Sequence, residues 1–186
     1  LYAEAAMFGL ESIYCIAPSF RAEKSKTARH LTEYWHAEAE MAWCDLNKLI
    51  NYAEDLIKHV LKRVLKENKK ELKLLGRDIK KLEPSLKNKF PRITYDKALD
   101  LLNKKGLKVK WGKDLRTIEE EKLMENFNTI VFVTHYPKET MAFYKPRDPK
   151  VSDEALCFDM LAPGDGTEIV GGSQRSMDIE DMKERL

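Results

Sequence analysis

Cysteine is scarce in this chain, and the three that occur, Cys15, Cys44 and Cys157, stand far apart in apolar text such as YCIA and LCFD. No two have the spacing of a metal-ligand or redox pair, which argues against a zinc site or a disulfide and predicts reduced core thiols. The four histidines are equally scattered. Glycine is thin as well, with eight residues and no phosphate-cradling glycine-rich loop, which disfavours a doubly wound nucleotide-binding fold. No apolar run approaches the roughly 20 residues that span a bilayer, and no charged, apolar and small-residue signal order opens the chain. The chain therefore reads as cytosolic, with no membrane partner.

What is present is ordinary globular text. Charged residues make up 34% and hydrophobic ones 43%, enough for a core, and 186 residues suit one substantial domain better than two. The net charge of +2 averages a lysine-rich middle against an acidic stretch at Glu119 to Glu121. Because Leu1 lies inside helix-like text, the chain is expected to be a piece of something longer.

Residues 2 to 9 have helical composition. Residues 12 to 23 (SIYCIAPSFRAE) and 31 to 43 are rich in β-branched and aromatic residues and flank the polar loop KSKTAR, which predicts a hairpin. Side chains alternate across a strand, so Thr32, Tyr34, His36, Glu38 and Glu40 share one side and Trp35, Ala37, Ala39, Met41 and Trp43 the other. The apolar side is expected to pack on helices, and the polar side to face water or a ligand. Asp45 is a candidate N-cap for a helix running to about Glu67, with Leu46, Leu49, Ile50, Ala53, Ile57, Val60, Leu61 and Val64 at helical spacing. Its other face carries Lys58, Lys62 and Lys66, which by itself suits a solvated surface better than a nucleic-acid patch, since no aromatics interleave. Further helices are predicted from Thr94 to Gly106 and over 117 to 127, and strands over 129 to 137, 154 to 162 and 168 to 177, the last two joined by PGDGT. Helices and strands are mixed without a strand-helix repeat, so an α+β fold is expected, an antiparallel sheet flanked by helices.

Arg21, Glu23, Glu38 and Glu40 on one hairpin are compatible with a cross-strand ladder of ion pairs. The order of the residues points elsewhere. FRAE, the loop KSKTAR and then HLTEYWHAEAE resemble motif 2 of the class II aminoacyl-tRNA synthetases, in the subgroup that handles aspartate and asparagine. FDMLAPGDGTEIVGGSQR (158 to 175), YPKETMAFY (136 to 144) and RITYDKALDLL (92 to 102) also resemble that subgroup, its asparaginyl branch most. The resemblance covers the chain in order and implies the class II catalytic core: a motif 2 hairpin at about 12 to 43, a helical and insertion region at about 45 to 127, and sheet strands at about 129 to 177.

It also implies roles. Arg21 would bind the amino acid carboxylate and the α-phosphate of ATP, a task suited to a permanently charged planar fork. Glu23 would meet the adenine amino group, Arg29 and His30 the outer phosphates, and Tyr34 the face of the base, with Leu31 also in the ATP site. Glu38 and Arg175 would read the two ends of an asparagine side chain, the carboxylate accepting from the amide nitrogen and the guanidinium donating to its oxygen. Asp159 and Glu168 resemble the family's magnesium-binding carboxylates. Glu168 and Arg175 are seven apart, so a bulge near Gly171 and Gly172 is expected if both face one cleft. The implied reaction forms asparaginyl-adenylate from asparagine and ATP and transfers the acyl group to tRNA(Asn), in a homodimer when intact.

No text resembling motif 1, the glycine-rich motif 3 or an anticodon-binding barrel occurs. The open readings are a fragment of an asparaginyl or, with the amide call resting on two residues, an aspartyl enzyme; a free-standing paralogue of the core that makes asparagine or otherwise uses an adenylate; and an interaction protein that keeps the fold without catalysis. These 186 residues alone are expected to show no asparagine-dependent pyrophosphate exchange, and rates near those of an intact synthetase would overturn that.

Overall fold

A computed structural model describes residues 2–22, 31–164 and 167–186. These residues group into two compact units, Leu1–Cys44 and Asp45–Leu186.

The first unit is a helix, α1 (Tyr2–Leu10), followed by an antiparallel pair, β1 (Ser12–Phe20) and β2 (Glu33–Met41). The chain turns from α1 into β1 at Glu11, whose backbone sits at φ 61°, and the Glu11 carbonyl then accepts from the Ala42 N–H at 2.7 Å, closing the open end of the hairpin. Pairing runs without a break from Ser12 opposite Met41 to Phe20 opposite Glu33, so Pro18 sits in regular register opposite Trp35. The predicted alternation of faces is present, but its consequence differs. Tyr14, Ile16, Phe20 and Trp35 share the apolar face and are all exposed, whereas Tyr34, His36, Glu38 and Glu40 are half-buried. One nine-residue helix is too small to shield two nine-residue strands, so the expected cover of helices on the apolar side is missing among the described residues.

In the second unit, α2 (Leu46–Glu67) begins where the Asp45 carboxylate accepts from the Lys48 N–H, as the N-cap reading predicts. Then come α3 (Lys69–Leu74), α4 (Glu83–Lys87), β3 (Arg92–Thr94), α5 (Tyr95–Lys104), α6 (Thr117–Met124), β4 (Val131–Thr134), β5 (Cys157–Ala162), β6 (Thr167–Ser173) and α7 (Ile179–Glu184). Thr94 caps α5 through the Lys97 N–H. The sheet order is β3-β4-β5-β6, antiparallel except that β3 runs parallel to β4. The expected α+β fold with an antiparallel sheet is present, with this one parallel pair added at its edge. Arg92–Thr94 is too short to alternate and is recognisable only through its partners on β4.

Two apolar layers enclose this sheet. Val131, Val133, Cys157 and Leu161 pack on one face with Tyr95, Leu102, Leu123 and Tyr136. Phe132, Phe158 and Met160 pack on the other with Leu46, Ile50, Ala53 and Phe90. The rings of Phe90, Phe132 and Phe158 form a chain with centroids 6.2 and 5.2 Å apart. Buried Glu54 beside them accepts from Lys58 Nζ at 2.7 Å and from the Phe90 N–H at 3.2 Å, which meets the demand that a buried carboxylate be paired. Cys157 is a core thiol as expected, while Cys15 and Cys44 are only half-buried; all three are reduced. No helix among the described residues is long and apolar enough to cross a membrane.

Gly172 stands opposite Phe158, and a Cβ there would lie 2.6 Å from the phenyl ring. Gly172→Ala is therefore expected to destabilise the protein by about 1–3 kcal/mol, because the ring has Phe132 behind it and nowhere to retreat. Thermal melting checks this, and adding Phe158→Leu should recover part of the loss.

Candidate functional site

The polar face of the β1–β2 hairpin is built by register. Glu38 lies opposite Cys15 and Glu40 opposite Ile13, so neither carboxylate meets an arginine directly across the strands. Glu38 is instead flanked by the Cys15 thiol, which donates toward Oε2 at 3.8 Å, and by His36 Nδ1, 3.6 Å from Oε1. A thiol and an imidazole on either side hold a half-buried carboxylate in one orientation. Tyr34, opposite Ser19, tilts against His36 with centroids 5.6 Å apart. Arg21, just beyond β1, places its guanidinium 5.9 Å from the centre of the Tyr34 ring, and its N–H donates to the Thr32 carbonyl at 2.9 Å. Leu31 is exposed. Glu23, Arg29 and His30 lie outside the described residues.

The second cluster is built by a bulge. Met160 pairs with Val170 but Leu161 pairs with Glu168, so Ile169 is an extra residue on β6. Alternation would otherwise put Glu168 on the Phe158 side of the sheet. The insertion turns it to the side of Asp159 and Gly171, which are paired with each other. A change of face is thus present in β6, at Ile169 and not at the two glycines. A Cβ on Gly171 would fall 2.8 Å from Glu168 Oε1 and 3.6 Å from Asp159 Oδ1, so both carboxylates bear on the space that the glycine leaves open.

Asp159 lies on a strand and is neither a helix cap nor a loop residue. Its carboxyl keeps a partly exposed edge yet is enclosed enough for burial to push its pKa up, with the Glu168 charge adding to this, to about 7. Tyr136, fully buried beside it, has no hydrogen-bonding partner in good geometry at its hydroxyl among the described residues, although Asp159 is near enough to act on it. Burial first and the Asp159 charge second raise that phenol well above its usual range. Two carboxylates that resist being charged together, beside a glycine that leaves room, are a donor set suited to a hard divalent cation that also keeps oxygen ligands from elsewhere. No group of three or more His, Cys, Asp or Glu poised for a metal occurs among the described residues, so such an ion would need those other ligands.

Arg175 does not belong to a strand, since β6 ends at Ser173. It is held by its neighbours: the Gln174 N–H donates to the Leu156 carbonyl at 3.0 Å and the Ser176 N–H to the Tyr144 carbonyl at 2.8 Å. Its guanidinium lies 4.4 Å from the Tyr144 ring centroid, a close cation–π contact. The loop carrying Tyr144 is tied down in turn by Arg185, which donates to the carbonyls of Lys138, Met141 and Phe143. Buried Lys138 also pairs with Asp181 of α7 at 3.4 Å. The structure thus brings Asp159 and Glu168 together, while Glu38 stands in the first unit and Arg175 in the second. The sequence reading missed Cys15 and His36 beside Glu38, Tyr136 beside Asp159 and Tyr144 beside Arg175. His36 lies two residues from Glu38 and so shares its strand face, which is a local sign; Cys15 becomes visible only through register, and Tyr136 and Tyr144 only through the folding of the segments around them.

A family model described as tRNA synthetases class II (D, K and N) matches residues 1–186. The asparagine–tRNA ligases of Pyrococcus furiosus and Thermococcus kodakarensis are 47% and 46% identical over 186 residues; each match takes in 100% of this chain and 43% of the relative. The crystal structure of asparaginyl-tRNA synthetase from Pyrococcus horikoshii complexed with asparaginyl-adenylate superposes with a TM-score of 0.95 at 46% identity, over 99% of this chain and 42% of that one. An aspartyl tRNA synthetase from Entamoeba histolytica gives a TM-score of 0.82 at 28% identity. The chain therefore spans less than half the length of the relatives it matches.

Because folding raises the pKa of Asp159, the folded state holds more protons than the unfolded state between pH about 4 and about 7, and this group's contribution to stability falls as pH rises through that window. In chelator-containing buffer, Asp159→Asn is expected to gain stability relative to the parent as pH goes from 4.5 to 7.5. Urea unfolding at both pH values measures the difference, and a gap that does not change with pH would contradict the placement of this carboxyl.

Proposed function

Since the chain belongs to the class II tRNA synthetases of the D, K and N group, we propose that it forms the central part of the catalytic domain of an asparagine–tRNA ligase. One observation carries the choice of amino acid: across the whole chain it is nearly half identical to asparagine–tRNA ligases, one of them solved with asparaginyl-adenylate, and less like an aspartyl enzyme. The reaction proposed is ATP-dependent activation of asparagine followed by transfer to tRNA(Asn), in the cytoplasm and in a homodimer.

In this reading catalysis is positioning and charge neutralisation. Arg21 holds the asparagine carboxylate and the α-phosphate of ATP together, so that the carboxylate oxygen attacks phosphorus in line as pyrophosphate departs. Its placement against Tyr34 suits a site in which the ring stacks on adenine while the cation reaches the phosphate. Glu23, Arg29, His30 and Leu31 complete the ATP site. Glu38 accepts from the amide nitrogen of asparagine and Arg175 donates to its oxygen. The Cys15 and His36 contacts support this role by fixing the carboxylate, as does the Tyr144 contact by fixing the guanidinium. An aspartate side chain would set a second negative charge against Glu38 at a cost on the order of several kcal/mol.

Asp159 and Glu168 would hold magnesium, and their mutual repulsion beside Gly171 fits that role. Such an ion supplies charge neutralisation at the phosphates of ATP. No enzyme nucleophile is needed, because the adenylate itself is the activated acyl donor to the ribose hydroxyl of the tRNA.

Glu38→Gln in the intact gene product is expected to lower the preference for asparagine over aspartate in pyrophosphate exchange, read as the ratio of kcat/KM values, by about a hundredfold. A parent protein that activates aspartate better than asparagine would overturn the assignment. A ratio left unmoved by the substitution would remove Glu38 from the side-chain pocket.

A further inference from the structure

The region least explained by the synthetase reading is the helical arm between residues 55 and 84. Helix α2 has 22 residues, about 33 Å of length, but its buried residues, Leu46, Ile50, Ala53 and Glu54, all lie in the first half. From Asp55 to Pro84 no residue is buried. Ile57 and Leu61 still pack partly on the Phe158 layer, and beyond them the end of α2 and α3 add no buried residue to it.

Charge is concentrated on this arm and its return. Between residues 58 and 89 there are twelve Lys and Arg against four Asp and Glu, whereas the rest of the chain has twenty-one against twenty-seven. Two of those four acidic residues are paired with near neighbours, Glu67 with Arg63 and Glu83 with Lys87, and Glu54 at the base of the arm pairs with Lys58. Lys62, Lys66, Lys69, Lys70, Lys73 and Arg77 are all exposed and have no carboxylate within ion-pair distance among the described residues. At the apex, immediately before Gly76 at φ 65°, Leu74 and Leu75 are 88% and 79% exposed. A solvated helix face does not require a net positive excess of this size, which costs self-repulsion, nor two bare leucines at its tip.

We propose that this arm is a docking surface for RNA, with the lysines set against the sugar-phosphate backbone and Leu74 and Leu75 against an exposed base or ribose face. Lys62 and Lys66 repeat every four residues, about 6 Å, along the helix. A line of separate cations suits a polymer with one negative charge per repeat better than a single acidic cluster. No aromatic residue occurs between Tyr52 and Phe90, so the surface holds the backbone and does not read sequence. The identity of the RNA as the tRNA substrate rests on the synthetase reading. The surface does not.

The test uses the intact gene product with Lys62, Lys66, Lys70 and Lys73 all changed to Gln, and measures tRNA affinity at several salt concentrations together with asparagine-dependent pyrophosphate exchange in the absence of tRNA. At about 0.1 M salt, tRNA binding is expected to weaken at least tenfold, and the slope of log Kd against log salt to fall by about 3, at roughly 0.7–0.9 per lost phosphate contact. Pyrophosphate exchange and the melting temperature should not change. Changing four exposed lysines elsewhere, Lys97, Lys104, Lys108 and Lys150, to Gln should shift the affinity less than twofold, and Leu74→Ser with Leu75→Ser should weaken binding with the salt slope preserved. Unaltered affinity and slope in the arm variant would overturn the proposal, as would equal losses in the two lysine sets or tighter arm-dependent binding to phosphatidylserine vesicles than to tRNA. A parent protein inert in pyrophosphate exchange whose arm variant still loses tRNA would uphold the surface and remove the synthetase reading.

Discussion

The second unit's site depends on the pairing of β5 with β6 and on the single extra residue, Ile169, inside it. Without that insertion Glu168 would point into the layer of Phe158 and Met160, where a carboxylate has no partner and a high cost. With it, Glu168 joins Asp159 beside a glycine, and two acids share a space that neither could occupy charged at ease. The same segment constrains its own composition. Gly171 leaves room for the carboxylates and Gly172 leaves room for Phe158, so two adjacent glycines serve opposite faces of one strand.

A second principle recurs in both units: a charged group is fixed by a soft or aromatic neighbour in addition to any opposite charge. Glu38 has a thiol and an imidazole at its two oxygens, Arg21 lies by Tyr34, and Arg175 lies over Tyr144. Such contacts orient the group without themselves neutralising it. The loop behind Tyr144 is secured from Arg185, whose guanidinium donates to the carbonyls of Lys138, Met141 and Phe143, the first of which also accepts from the Met141 N–H. Its hydrogen bonds connect the C-terminal helix to the position of Arg175.

The arm and the hairpin are the parts in which burial does not account for the sequence. The hairpin exposes Tyr14, Ile16, Phe20 and Trp35 on one face, and the arm exposes a line of cations ending in two leucines. Large apolar side chains in water and uncompensated like charges are both costly, and each marks surface whose composition is set by something other than the folding of these residues.

Helical spacing, the Asp45 and Thr94 caps and the alternation of Glu33–Met41 were legible in the sequence, because each depends on residues close together in the chain. Motif order supplied the candidate site residues, of which the structure brings Asp159 and Glu168 together. Strand β3, the side on which Asp159 and Glu168 meet, and the contacts of Cys15 with Glu38 and of Tyr144 with Arg175 were not legible. Local preference determines which residues form helices and strands and which faces they offer. Only the tertiary structure could decide that an extra residue at Ile169 reverses a face and that Arg92–Thr94 pairs with β4. Those outcomes arise from register and packing between segments distant in sequence, and no local pattern encodes them.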